Sequence, residues 1–180
     1  MGQGVWIDSD DLTEEMEIRQ VLKHGTLSMG FIGLAECLVV LTGKHHGQGQ
    51  EVQQLGLEIV GHMRKRMDET SQHYQMNFTL LGTPAEGTAG RFVKLDKAIF
   101  GEIAGVTDRE YYSNSFHIPV YYPTSAYQKI NSEAPYHELT NAGHITYVEM
   151  DGDPMDNLEA FEKVVRAMKE AGIGYGSYIR

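Results

Sequence analysis

Apolar residues recur every three or four positions between about Gln50 and Tyr74, at Val52, Leu55, Ile59, Met63 and Met67. That spacing places them on one face of a long α-helix. The apolar run Met76 to Leu81 follows almost at once and ends in Gly82-Thr83-Pro84, which reads as a strand closed by a turn. The rest of the chain repeats this alternation of helix and strand.

Upstream, Asp8, Ser9, Asp10 and Asp11 supply candidate caps for a helix through Ile18, Val21 and Leu22. Thr26 to Phe31 is short and apolar, Leu34 to Leu41 favours helix, and Gly43 fits as its stop. Downstream, Phe116 to Tyr122 reads as a second strand, pushed toward an edge or a bulge by Pro119. Ile145 to Met150 reads as a third. A final helix opens near Pro154 with Leu158, Phe161, Val164, Val165 and Met168 on one face, and Gly172 and Gly174 end it before an apolar tail. Strands alternating with helices predict an α/β arrangement with a largely parallel sheet. No repeat or linker divides the sequence, so residues 1–180 are expected to form a single unit. The abrupt apolar start at Val5, Trp6 and Ile7, the strand-like finish and the small number of strands suit part of a larger barrel. The uncovered sheet edges and faces of such a part favour self-association.

With 25 acidic against 15 basic side chains, a net charge of −10 argues against broad binding to a nucleic-acid backbone. It leaves room for a pocket that holds one nucleotide through a few amides and an arginine. No stretch has the length and apolarity of a membrane span, and the first residues carry neither a basic region nor an apolar run. A cytoplasmic protein is expected. One cysteine excludes an intrachain disulfide and a cysteine-based zinc cluster.

That residue, Cys37, follows the glycine-rich entry Gly30-Phe31-Ile32-Gly33 into the second helix. A helix's first turn lowers a thiol pKa, and the adjacent Glu36 opposes the effect. Read from the residues alone, Cys37 is either a small packed hydrophobe, the commoner state of a free cysteine, or a reactive group. Thr83 to Arg91 sits where a strand hands over to a helix, and its small residues let an anion approach backbone N–H groups, with Arg91 able to complete the site. A plain capped loop explains the same residues. The pair His45-His46 lacks an acidic partner at ligand spacing and reads as a solvated or substrate-edge loop. Glu133 to His144 and Tyr111 to His117 are dense in polar groups; positioning of a substrate and structural hydrogen bonding account for them equally.

Taken together, several segments resemble the anaerobic (class III) ribonucleoside-triphosphate reductases. They are His24 to Cys37, Thr42-Gly43-Lys44-His45-His46-Gly47, Asn77 to Gly87, Gly105 to Tyr112, Tyr136 to His144 and Lys169 to Gly176. The resemblance runs in order through essentially the whole chain. It implies part of the ten-stranded α/β barrel of the glycyl-radical enzyme and ribonucleotide reductase superfamily, incomplete here. By that resemblance Cys37 matches the finger-loop cysteine whose thiyl radical takes hydrogen from C3′ of the ribose, after which the 2′-hydroxyl leaves as water. Thr83, Ala85, Glu86 and Gly87 match the segment near the substrate phosphates, and Asn77 is expected to face the same cavity.

The resemblance further implies a ribonucleoside triphosphate substrate, a homodimer and a radical-SAM activating enzyme, with no nucleic-acid or membrane partner. No cofactor is expected in this segment; the glycyl radical, formate as reductant and a structural zinc belong to parts of the family's architecture that it lacks. Without a radical source the chain is expected to be inactive alone. Two alternatives are a non-catalytic nucleotide-binding or assembly module and part of a formate-lyase-like glycyl-radical enzyme.

Overall fold

The computed structural model describes residues 5–7, 9, 12–22, 24–150 and 152–179, and the backbone but not the side chain of Glu86. The proposed caps Asp8, Asp10 and Asp11 lie outside the described residues. The helix expected after them is a single turn, α1 (Arg19–Leu22). Next come β1 (Thr26–Phe31) and α2 (Leu34–Thr42), which begins after Gly33 and ends at Gly43, both with left-handed backbones. The long helix α3 spans Gln50–Tyr74, and β2 spans Asn77–Gly82. Then come α4 (Glu86–Phe100), α5 (Ala126–His137), β3 (Thr146–Glu149), α6 (Leu158–Ala171) and β4 (Gly176–Ile179).

All the pairings are parallel, as the alternation predicts. β1 pairs with β2 from Thr26↔Asn77 to Phe31↔Gly82, and β3 pairs with β4 from Thr146↔Gly176 to Glu149↔Ile179. A parallel bridge between Leu81 and Gly143 links β2 to the segment that leads into β3. The carboxyl ends of β1 and β2 therefore lie side by side, as do those of β3 and β4.

The core gathers Leu34 and Leu38 of α2, Val60 and Met67 of α3, Leu80 of β2, and Phe116 and Tyr136. The Phe116 and Tyr136 rings stack with centroids 5.2 Å apart and planes 8° from parallel. Gly56, in the middle of α3, makes room for this pair, because a Cβ there would collide with the Tyr136 hydroxyl. Much apolar surface stays uncovered on this chain: Val40 and Leu41 on α2, and Phe92, Leu95, Ile99 and Phe100 on α4. No helix among the described residues is long and apolar enough to cross a membrane.

One expected strand is absent. Phe116 to Tyr122 is not a strand; it makes turns closed by His117 N–H to Asn114 O at 2.8 Å and Tyr122 N–H to Pro119 O at 2.9 Å. Its backbone groups are taken by side chains instead of a ladder: His46 Nε2 donates to Phe116 O at 2.8 Å, and Ile118 N–H donates to Glu133 Oε1 at 2.9 Å. The alternating apolar residues Phe116 and Ile118 are buried, as a strand's inner face would be, so the pattern reported burial and not pairing. Glu133 to His137, in the polar stretch left without an assigned element, is the end of α5. That helix starts with a capping box between Ser125 and Gln128 and carries Pro135 inside it.

Candidate active site

A cavity of about 500 Å³ opens beside the carboxyl ends of β3 and β4, lined by Glu149 and Ile179 from the strands and by Tyr112, Asn114, His117 and Lys129 among others. A second, of about 380 Å³, lies beyond the end of β1 and is lined by Ile32, Gly33, Glu36, Cys37, Asp96 and Tyr112. Tyr112 borders both. In sheets of parallel strands, ligands bind outside the carboxyl ends, where the loops converge and helices begin.

Cys37 occupies the first turn of α2, with its N–H donating to Gly33 O at 2.9 Å. It sits in a regular helix, as the helix-favouring run Leu34 to Leu41 predicts, behind left-handed Gly33. The thiol is exposed to the smaller cavity, yet burial by its neighbours raises its pKa. It is thus protonated at neutral pH and suits hydrogen-atom transfer better than thiolate chemistry. Glu36 is buried, and burial raises its carboxyl pKa too. Its Oε1 accepts from Ser113 N–H at 2.8 Å and from Ser113 Oγ at 2.9 Å, while Oε2 finds no partner among the described residues. Tyr112 donates to Asp96 at 2.8 Å, and burial followed by that bond raises the phenol's pKa.

Thr83, Pro84 and Ala85 connect β2 to α4, so the predicted handover from strand to helix is present. Ala85 is the residue before the helix and makes no side-chain cap to the first turn, which holds Glu86, Gly87 and Thr88. An α-helix leaves its first N–H groups unpaired within itself, and here they open beside exposed Gly87 and Thr88. Arg91 is exposed one turn further along. Thr83 packs over Gly30 of β1, where a Cβ would collide with its hydroxyl. Asn77 does not join this group. It begins β2, roughly 16 Å from the carboxyl end at strand rise, and its amide donates to Thr26 Oγ1 at 2.7 Å. The expectation that it faces the same cavity fails because the whole strand intervenes.

The histidines divide differently from their sequence reading. His45 and His46 are buried, not solvated: only 3% and 2% of their surface is exposed. His45 Nδ1 accepts from Gly47 N–H at 3.2 Å, and His46 binds Phe116 O, so both are structural. His137 is also structural. Its Nε2 meets Thr146 Oγ1 at 2.9 Å and its Nδ1 accepts from Gly174 N–H at 3.1 Å, riveting α5 to the ends of β3 and β4. His144 is held by Thr140 at 3.0 Å. Among the described residues, no three His, Cys, Asp or Glu side chains are grouped to hold a metal.

The larger cavity contains groups that no motif announced. Lys129, buried on α5, donates to both carboxylate oxygens of Glu149 at 2.7 Å. His117 is bound to Ile145 O at 2.7 Å, and burial lowers its pKa to about 4. Asn114 Oδ1 accepts from Ala85 N–H at 3.2 Å, which links this cavity to the start of α4. The one sequence signal for these residues is the polar density of Tyr111 to His117.

Helix-connected parallel strands with cavities at their carboxyl edge define an α/β fold with its candidate site at the strand ends. A solved structure described as an anaerobic ribonucleotide reductase superposes with a TM-score of 0.73 over 88% of this chain and 25% of its own, at 19% identity. The Thermotoga maritima anaerobic ribonucleotide reductase in complex with dATP and CTP superposes with a TM-score of 0.69 over 84% of this chain and 25% of its own, also at 19% identity. In sequence, the Escherichia coli anaerobic ribonucleoside-triphosphate reductase is 37% identical over 164 residues, covering 89% of this chain and 22% of the relative. The profile of the anaerobic ribonucleoside-triphosphate reductase family matches residues 1–179. The chain belongs to that family, and it spans about a fifth of the length of the relatives it matches.

Proposed function

We propose that this segment forms part of the substrate-binding wall of an anaerobic ribonucleoside-triphosphate reductase. The carrying observation is the first turn of α4, which its N-cap residue Ala85 leaves without a side-chain cap, placed just beyond the carboxyl end of β2. Backbone N–H groups and the positive end of the helix dipole favour a phosphate there. The adjacent cavity of about 500 Å³ accommodates a nucleoside. Family membership and the nucleotides named with the Thermotoga maritima structure support the same reading. Within it, Thr83, Ala85, Glu86 and Gly87 shape the phosphate turn, and His117, Lys129 and Glu149 of the larger cavity orient the nucleoside.

The test is Gly87→Asp in the complete reductase carrying this segment. A carboxylate in the first turn, tolerable to the helix itself, repels a bound phosphate. CTP affinity should fall on the order of a hundredfold, measured by equilibrium binding. Unchanged affinity would remove the phosphate assignment.

The thiyl role of Cys37 rests on the resemblance alone. Its protonated thiol and its place at a cavity suit the role, and its helical setting differs from a loop tip. In the complete reductase, Cys37→Ser should abolish deoxynucleotide formation while CTP still binds. Retained turnover would assign the thiyl to a cysteine outside this segment. The reading places the glycyl radical, formate and structural zinc outside this chain, and takes a radical-SAM activating enzyme and a second copy as partners in the cytoplasm.

A further inference from the structure

The stretch around Ser113 to Ile118 has no regular secondary structure, yet it is pinned from two sides. On one side is the start of α2. Gly33 N–H donates to Ser113 O at 2.8 Å, and Leu34 N–H donates to Ser115 O at 3.2 Å. Glu36 closes the clasp by accepting both the N–H and the hydroxyl of Ser113. On the other side, His46 and Glu133 hold the backbone of Phe116 and Ile118.

Between the two lies Ser115, buried and left-handed at φ 39°. A residue with a side chain keeps such a backbone only where its surroundings impose it. What this bend achieves is the placement of Asn114, whose Oδ1 accepts from Ala85 N–H at 3.2 Å. Asn114 also lines the larger cavity.

We propose that Asn114 is a positioning residue for the phosphate turn, held in place by the Glu36–Ser113 clasp. Ala85 has no capping side chain to fix the direction of the helix start. Asn114 takes the Ala85 N–H and leaves the amides of Glu86, Gly87 and Thr88 free to converge on an anion. The chain of contacts runs from α2, which follows β1, through Glu36, Ser113 and Asn114 to Ala85, which follows β2. It thereby couples the loops after two neighbouring parallel strands. This inference rests on the triphosphate reading above and adds the residues that keep the turn in register.

The experiment measures CTP and CMP binding, with KM and kcat, for the complete reductase carrying Asn114→Ala. Loss of one anchoring hydrogen bond should weaken CTP binding on the order of tenfold. CMP, with a single phosphate, should weaken by about twofold or less, and kcat at saturation should hold. A merely structural role would reduce the folded fraction without changing this CTP-to-CMP ratio. Glu36→Ala should reproduce the effect, and Glu36→Gln, which keeps an acceptor for Ser113, should restore it. Where Glu36→Ala does not fold, Ser113→Ala removes one of the two clasp bonds and should show the same preference at about threefold.

Gly87→Asp separates the two readings. If it weakens CTP while Asn114→Ala does not, the positioning role is overturned and the phosphate turn stands. If neither variant affects CTP, both fall. Equal weakening of CTP and CMP by Asn114→Ala would also overturn the inference, since Asn114 would then be contacting the nucleoside.

Discussion

Replacing Tyr136 with alanine will destabilise the polypeptide by about 3–5 kcal/mol, the usual cost of removing a buried aromatic ring. The side chain is fully buried on α5, stacked on Phe116 and edge-on to His46 with centroids 5.6 Å apart. Removing it leaves a cavity that Gly56, with no side chain, cannot fill. Tyr136→Phe should cost about 1 kcal/mol or less, because the hydroxyl makes only a long bond to Gln53 Oε1 at 3.4 Å. Denaturant unfolding of the 180-residue polypeptide in dilute solution checks both values. A loss under about 1 kcal/mol for the alanine variant would mean that the ring lies outside the core. The effect should also reach the site, because Phe116 carries the backbone that leads to Asn114.

Acidification should loosen the same region. Burial lowers the pKa values of His46, His117 and His137 to about 4 each. An unfolded imidazole takes up a proton near pH 6.5, so between about 6.5 and 4 the unfolded chain binds more protons than the native one. Stability from these groups is complete above that window and is lost as pH falls through it, by roughly 3 kcal/mol for each imidazole. Glu133 acts in the opposite sense. Burial raises its carboxyl to about 7, so it contributes stability that is lost as pH rises from 4.5 through 7. Three histidines outweigh one carboxyl, and the acid side dominates. Hydrogen exchange in the complete reductase, corrected for intrinsic rates, should show residues 114–118 and 136–146 losing protection between about pH 7 and pH 5. Protection that persists at pH 5 would show that the imidazoles accept protons in place without cost.

The expectations that held and those that failed differ in the range of the interactions behind them. The α3 helix was legible from Gln50 to Tyr74 because its periodic apolar face and its helix-forming residues agree over many turns. The stops at Gly43 and Gly172 were legible because a left-handed residue ends a helix locally. The turn from Thr83 into α4 was visible because Gly82 and Pro84 end the strand locally. By contrast, α5 was hidden because its inner face carries Lys129, Glu133 and His137 among the apolar residues, so the hydrophobic period is broken. Those polar groups are buried only because their partners come from elsewhere: Glu149 for Lys129, Ile118 for Glu133, and Thr146 and Gly174 for His137.

The sequence by itself determined the parallel α/β pattern, the long crossover helix and, through its ordered likeness to the reductases, the family. Each follows from local periodicity, from local turn chemistry or from residue identity. Only the tertiary structure decided that His45 and His46 are core residues and that Asn114 meets Ala85. Those outcomes depend on hydrogen bonds between distant positions, such as His46 to Phe116, 70 residues apart. A buried polar group has to find its partner wherever the fold brings one, and sequence spacing carries no record of that choice.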